Sequence, residues 1–390
     1  MKCVIRWLFS LKVRRALAYH NHVKRLLAAQ RDILPEPSVT QLKDALQKLL
    51  TAIKRGDPPA TVEGLKQELE VVAGTHLKPY PNPRIRENIE VILVAITLAL
   101  GIRTFFIQPF KIPTGSMQPT LWGITSWNVI NDPTFKIPTG LQRLVHWLHG
   151  TNYVHLVSKT DGYLEEITPP WPPVIFSVFQ RIKIGGQWHY IWFPPDYGAP
   201  PFGTLEARAG LKIGQYFRKG QDVVKLVIKK GDHLFVDRFT YNFRRPKRGE
   251  IIVFETWGFD PNLRYAYRVP PDQFYIKRLV GLGSETISIG NDHHVRINGR
   301  RLDASTPHFE FLYTFSADAP PDQYFGHIPM GLLSAGVEFK IPPNHYYVLG
   351  DNTRNSLDSR FLGPIPQECV IGKAWFIYWP LSERFGLGYR

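Results

Sequence analysis

"VILVAITLALGIRTFFIQPFKIPTGSMQPTL", residues 91–121, holds the change of pattern that decides the fold. Residues 91–102 carry no charge, and the apolar character resumes after Arg103 and Thr104 with Phe105-Phe106-Ile107. Counted from Ile89, the run matches the roughly 17 to 25 residues that span a bilayer as a helix. Glu90 and Arg103 lie near its ends, where long side chains reach the polar interface. The run is too far from the N-terminus to be a cleaved signal peptide. The spacing therefore predicts one transmembrane helix over 87–107, with a different architecture on each side.

Upstream, residues 1–86 carry 16 Lys+Arg against 7 Asp+Glu, so most of the chain's net charge of +15 lies in its first quarter. Basic residues before the span, Arg84 and Arg86 among them, put this part in the cytoplasm by the positive-inside rule. It reads as helical. Ser38 and Gln41 form a capping box, and Leu42, Ala45, Leu46, Leu49, Leu50 and Ile53 follow at helical spacing. Gly56 and Pro58-Pro59 stop that helix, and a second, Thr61 to Val72, ends at Gly74, so the two read as an αα-hairpin. Residues 4–31 mix apolar and basic side chains, which suits a helix on the membrane surface or a third helix packed on the hairpin.

Downstream, residues 108–390 break into short apolar or alternating runs punctuated by Gly, Pro and Asn. His233–Val236, Glu250–Phe254, His294–Gly299 and Lys373–Trp379 read as strands, with Asn298-Gly299 a hairpin turn. The expected fold is mainly β: an antiparallel sheet or barrel domain beyond the span, with an N-terminal helical region before it. Residues 122–228 hold six of the ten tryptophans and read as a β-rich insertion whose aromatics pack its own small core. Residues 303–340 read as a second, looser insertion. Cys3 and Cys369 are the only cysteines; they face opposite compartments on this topology and form neither a disulfide framework nor a metal site.

Chemistry must come from elsewhere. The pentapeptide Lys111–Gly115 recurs unchanged as Lys136–Gly140, but only the first copy is followed by a serine, Ser116. Its partner is not an evident histidine: the chain has no G-x-S-x-G, H-E-x-x-H or S-x-x-K, and His293-His294 sit beside a turn. A lysine can serve as base if burial keeps it neutral. Lys277, in Phe274-Tyr275-Ile276-Lys277-Arg278-Leu279-Val280-Gly281, shares one strand face with Tyr275 and Leu279.

Together these segments resemble the type I signal peptidase family, membrane-bound serine proteases that use a Ser-Lys dyad. Arg103 to Leu121 is similar to the nucleophile segment, and Gly231–Arg238 with Arg248–Phe254 to the strand pair after it. Tyr275–Gly281 is similar to the lysine segment, and Gly350–Arg360 to the last motif. The resemblance covers roughly residues 88–121, 229–300 and 341–380. It implies Ser116 as nucleophile and Lys277 as general base, with Thr114 and the Ser116 N–H holding the oxyanion. It implies further that Ser356 hydrogen-bonds the lysine and that Asp358 and Arg360 form a supporting ion pair. Two departures stand out: Gly281-Leu282-Gly283-Ser284-Glu285 where the family has Gly-x-Pro-Gly-Asp, and Thr353-Arg354 where Arg-Asp is common.

The function so implied is removal of signal peptides from exported preproteins after small residues (Ala-x-Ala) at the outer face of the cytoplasmic membrane. The peptide would lie extended before Ser116 and Lys277, walled by Phe110, Ile112, Met117, Leu121, Tyr275 and Ile276. Membrane lipid is an expected partner, and residues 1–86 could hold a cytoplasmic one. Neither a cofactor nor a metal is expected, and the basic run Arg244–Arg248 reads as a solvated turn near headgroups, not a nucleic-acid site. A binding scaffold on the same fold, or a self-cleaving Ser-Lys protease, are the rival readings.

Overall fold

A computed structural model describes residues 10–78, 83–172, 177–198, 200, 203–314, 324 and 326–387. Met1–Ala95 and Ile96–Arg390 form two compact units.

In the first unit, helices Leu11–Gln30, Glu36–Arg55 and Pro59–His76 follow one another. Val13, Ala16, Val23 and Leu27 of the first are buried in one cluster with Leu42, Leu46, Leu49 and Ile53 of the second and Val62, Leu69 and Ala73 of the third. The segment before the hairpin is thus a third packed helix, since its apolar residues recur every three or four positions and have a partner surface. Residues 1–9, including Cys3, lie outside the described residues. Two expectations need correction. The second helix starts at Glu36 behind Pro35, with Pro37 in its first turn, so Ser38 is inside it and caps nothing. A proline at the start has its φ preset for the helix and lacks only an N–H that would be unpaired anyway. The third helix runs through Gly74 to His76, while Gly56 does end its predecessor at φ +84°.

The helix Pro83–Phe105 contains a window, Glu87–Phe105, of mean hydropathy 1.7 with none of it buried. Length and composition suffice to cross a bilayer.

The second unit is built on an eight-stranded antiparallel sheet. Its order runs Ile107–Lys111, His233–Asp237, Val370–Trp379, Ile251–Glu255, Phe274–Gly281, His345–Leu349, Ile365–Pro366, with Gly386–Leu387 added beside Val370–Trp379. Register shifts at Val253/Phe254, Leu279/Gly281 and Ala374/Phe376 bend the strands. Ile251 and Val253 pack with Ile112, Met117, Leu121, Leu234 and Val236, whereas Ile252 and Phe254 pack with Leu279, Val348 and Ile365. Burial on both faces explains why Ile251–Phe254 is apolar throughout instead of alternating. A smaller sheet, Thr286–Ile289, Val295–Ile297, Arg300–Arg301 and Phe339–Lys340, carries the Asn298-Gly299 turn at φ +49° and +77°. Those positive angles are what an Asn-Gly hairpin supplies at little cost.

Two edges stay open among the described residues. Ile107–Lys111 pairs on one side only, and Phe274–Gly281 meets His345–Leu349 only from Arg278 onward, leaving Phe274–Lys277 unpaired on that side. Phe110 and Phe274 meet edge to face at 5.3 Å, so the two open edges lie next to each other.

The insertion between Leu121 and Gly231 has a three-stranded and a four-stranded sheet around its own core, including Val154, Leu164, Ile182, Leu226 and Ile228. That core is mainly aliphatic, with Phe217 and Tyr197 as its aromatic members, so the expectation that the tryptophans pack it needs correction. Trp127, Trp147, Trp171 and Trp192 are exposed, and Trp192 stacks on Tyr190 at 5.8 Å. The second Lys-Ile-Pro-Thr-Gly leads into the short helix Gly140–Leu148, unlike the first. The insertion's neck grips the segment before Ser116. Asp232 O accepts from Ile112 N at 2.9 Å, and Pro113 O accepts from Ile124 N at 3.3 Å. A Cβ on Gly123 would stand 2.1 Å from the Thr114 carbonyl carbon, and one on Gly231 would stand 1.9 Å from Ile112 O. Asp232, fully buried, accepts from Trp122 N at 2.7 Å and pairs with Arg384 at 3.0 Å.

Candidate active site

Ser116 follows the open-edged strand by five residues and is 8% exposed. Its turn is fixed from the loop after His345–Leu349. Asn352 N donates to Ser116 O at 3.0 Å, and Asn352 Nδ2 donates to Gly115 O at 3.0 Å. Gln118 N donates to the same Gly115 carbonyl at 3.2 Å. A peptide unit is planar, so holding the Gly115 carbonyl aims the Ser116 N–H to the opposite side. Gly350 makes the approach possible: a Cβ there would lie 2.1 Å from Ser356 Oγ and 2.6 Å from Ser116 O. No larger residue fits.

Lys277 is carried opposite Ile252 in the sheet and is 4% exposed. Its Nζ lies 2.7 Å from Ser116 Oγ and 3.0 Å from Ile276 O, which accepts from it. The Tyr275 ring centroid is 5.3 Å from the same nitrogen. Burial pushes the Lys277 amine down to about 8, against the pull of the Asp358 and Asp351 carboxylates. The two atoms sit at proton-transfer distance, with an amine whose neutral form is accessible near neutral pH.

Two buried ion pairs brace the site. Asp358 and Arg360, both without exposed surface, pair at 2.8 Å, and the carboxylate also accepts from Gly350 N at 3.0 Å. Burial works against the Asp358 charge, but Arg360 and these hydrogen bonds prevail and hold the carboxyl below its usual range. Thr353 Oγ1 accepts from Arg360 Nη1 at 2.7 Å, and Thr353 O accepts from Nη2 at 2.9 Å. The departure at 353 therefore supplies a cap for the guanidinium. At the other departure, Glu285 accepts from Leu282 N at 2.7 Å and pairs with Arg248 at 2.5 Å, closing the turn there.

The second pair, Arg278 with Asp351 at 2.6 Å, was not anticipated. Arg278 Nη1 also donates to Gly249 O and His308 O, each at 2.8 Å, and Thr120 Oγ1 donates to Asp351 Oδ2. A signal was present: a Lys-Arg pair inside an otherwise apolar strand requires a buried counter-charge for the arginine. Nothing local in the sequence marks Asn352 as the clamp on Ser116.

Other expected site residues are distributed unevenly. Thr114 is exposed two residues before Ser116. Phe110, Tyr275 and Ile276 are half-buried beside the open edges. Met117 and Leu121 have no exposed surface and Ile112 only 3%, so these three belong to the core and cannot wall a groove. Ser356 also needs correction. Its hydroxyl is buried with no hydrogen bond of normal geometry; it packs on Gly350 near the Asp358 carboxylate, and Ile276 O holds the lysine instead.

The chain is similar to a signal peptidase I of Leptolyngbya laminosa, 32% identical over 41% of this chain and 66% of that protein. It is similar to one of Pseudomonas fluorescens at 27% identity, over 40% of this chain and 62% of that protein. A match to one of Mycobacterium tuberculosis is 30% identical, over 40% and 60%. The chain thus spans about six-tenths of the length of these curated relatives. A solved signal peptidase I from Enterococcus faecalis is 29% identical over 33% of this chain and 97% of its own, with a TM-score of 0.23, too low to carry a structural argument. Residues 85–135 and 216–379, more than half of the chain, match the family described as signal peptidase, peptidase S26, and the gap between them falls inside the insertion that has its own core. The chain belongs to the signal peptidase family, peptidase S26.

Proposed function

We propose that this protein is a membrane-anchored endopeptidase that removes signal peptides from exported preproteins, with Ser116 as nucleophile and Lys277 as general base. The observation that carries the reading is the 2.7 Å approach of Lys277 Nζ to Ser116 Oγ in a buried, carboxylate-braced setting. In the neutral state the amine accepts the Ser116 hydroxyl proton as Oγ attacks the scissile carbonyl. The Ser116 N–H and the Thr114 hydroxyl hold the oxyanion, a kind of contact whose loss costs about 10²–10³ in rate. The lysine ammonium then returns the proton to the leaving amine, and water releases the acyl group from Ser116. Loss of rate below pH 8 follows, because protonation of Lys277 removes the base.

The two adjacent open edges, Ile107–Lys111 and Phe274–Lys277, suit an extended peptide that adds backbone hydrogen bonds to both. Residues one and three before the cut would point inward onto Phe110, Tyr275 and Ile276, and the one between toward solvent. Anchoring rests on the exposed apolar helix Glu87–Phe105, with the basic N-terminal region in the cytoplasm and the sheet outside. The test is cleavage of a preprotein by the purified protein in detergent. Phe in place of alanine at the first position before the cut should reduce the rate by at least about 10²-fold. The same change at the middle position should leave it within about twofold. Equal cutting of both variants overturns the groove assignment, and no cutting of the parent overturns the function.

A further inference from the structure

Described residues of segment 303–340 reach the elements around Ser116 at several points. His308 O accepts from Arg278 and Ile328 O from Arg360, so each buried guanidinium is tied to it. One further contact is different, because it touches the nucleophile turn itself. Tyr324 OH donates to Gln118 Oε1 at 2.9 Å. Gln118 is 7% exposed, and its Oε1 lies 2.9 Å from where a Cβ on Gly115 would stand. The carboxamide is therefore laid against the Cα of Gly115, whose peptide unit carries the Ser116 N–H. One side of that unit is held by Asn352 and the Gln118 backbone. The Gln118 carboxamide packs against the glycine, and Tyr324 is the partner that orients it.

We infer that Tyr324 is a positioning residue for the Ser116 turn, acting through Gln118 to fix the plane of the Gly115–Ser116 peptide. The inference rests on the proposed function of Ser116 and adds to it a device from outside the nucleophile and lysine segments. The phenol suits this role because half-burial raises its pKa and keeps it a donor. Removing the hydroxyl leaves a buried acceptor unpaired next to the nucleophile, while Phe keeps the ring in place.

The test is a double-mutant cycle of Tyr324→Phe and Gln118→Met in the full-length protein, read in two ways. In preprotein cleavage, Tyr324→Phe should lower kcat about tenfold with KM unchanged, the size expected for one buried hydrogen bond. In the Gln118→Met background the same change should do nothing further. Independently of activity, Tyr324→Phe should speed hydrogen exchange of the peptide covering residues 110–121, again only when Gln118 is present. Equal effects in both backgrounds, a change confined to KM, or unaltered exchange each overturn the assignment. Should the parent cut no preprotein, the exchange cycle still decides whether Tyr324 holds the turn.

Discussion

The eight-stranded sheet and the insertion between Leu121 and Gly231 solve the problem of burial in different ways. The insertion's core is mainly aliphatic, with Phe217 and Tyr197, and its buried polar residues are Ser158, Gln180 and His189, the last accepting from Lys159 N at 2.8 Å. The buried Asp, Glu, Lys and Arg side chains among the described residues all fall elsewhere: Asp232, Glu250, Lys277, Arg278, Asp351, Asp358 and Arg360. Burying charge is expensive even when paired, and hydrophobic replacements of similar volume are often neutral or better for stability. Five of these, Lys277, Arg278, Asp351, Asp358 and Arg360, gather at Ser116 and the loop that clamps its turn, and a fold with that concentration is not arranged for stability there. The insertion has no such concentration among the described residues.

This contrast can be broken by substitution. The largest effect belongs to the dyad: Ser116→Ala, Lys277→Ala and Lys277→Arg should each lower preprotein cleavage by on the order of 10⁴-fold or more with the fold intact. Arginine is the decisive variant, because a guanidinium does not give up its proton in a protein. Appreciable cleavage by Lys277→Arg removes lysine from the mechanism. Next come losses of stability. Arg360→Met leaves the Asp358 charge buried and alone, which should cost about 3–5 kcal/mol in urea unfolding and reduce activity as well. Leu226→Ala in the insertion should cost a comparable 2–5 kcal/mol, yet the rate per folded molecule should not change. A fall in that rate would mean the insertion is not merely structural.

A pH dependence sharpens the comparison further. Lys277 titrates near 8 when folded but close to 10.5 when unfolded, so between those values the unfolded chain binds more protons. Stability attributable to this group therefore rises with pH across 8 to 10.5, and below 8 the buried charge is a full burden. Lys277→Met should be the more stable protein at pH 7, by on the order of 3 kcal/mol, with the advantage gone above about pH 10.5. An unchanging difference across that range would mean the lysine is not perturbed. The smallest effect is expected at the insertion's surface. Lys183 and Glu165 meet at 2.9 Å but both are partly exposed, so Lys183→Ala should alter stability by less than about 0.5 kcal/mol.

The sequence was informative wherever a local signal sufficed. The apolar run before Arg103, the strand runs and the Asn298-Gly299 turn all announce themselves, and the nucleophile and lysine segments carry a family pattern. What remained hidden depended on residues far apart in the chain. Arg278 gives no hint that its carboxylate is Asp351, nor Asn352 that it clamps Ser116. Met117 and Leu121 look like pocket walls because apolar residues beside a nucleophile can face either inward or toward a groove, and only packing decides. Ser38 resembled a cap because its spacing to Gln41 fits, but Pro35 and Pro37 had already started the helix.

The neck of the insertion has a consequence for how the chain reaches this state. Ile107–Lys111 must find His233–Asp237, and Ser116 must find Lys277, 161 residues later. Long-range pairings of this kind slow folding, because loop closure precedes any reward. Yet the intervening residues have their own core, and their two ends meet at Trp122 and Asp232, where Asp232 N donates to Trp122 O at 2.8 Å. Once the insertion has formed, the two strands are separated by a short effective tether instead of more than a hundred flexible residues. A module with no charged core would thus serve as a kinetic shortcut: it should fold early, and weakening it should slow assembly of the sheet more than it weakens the finished protein.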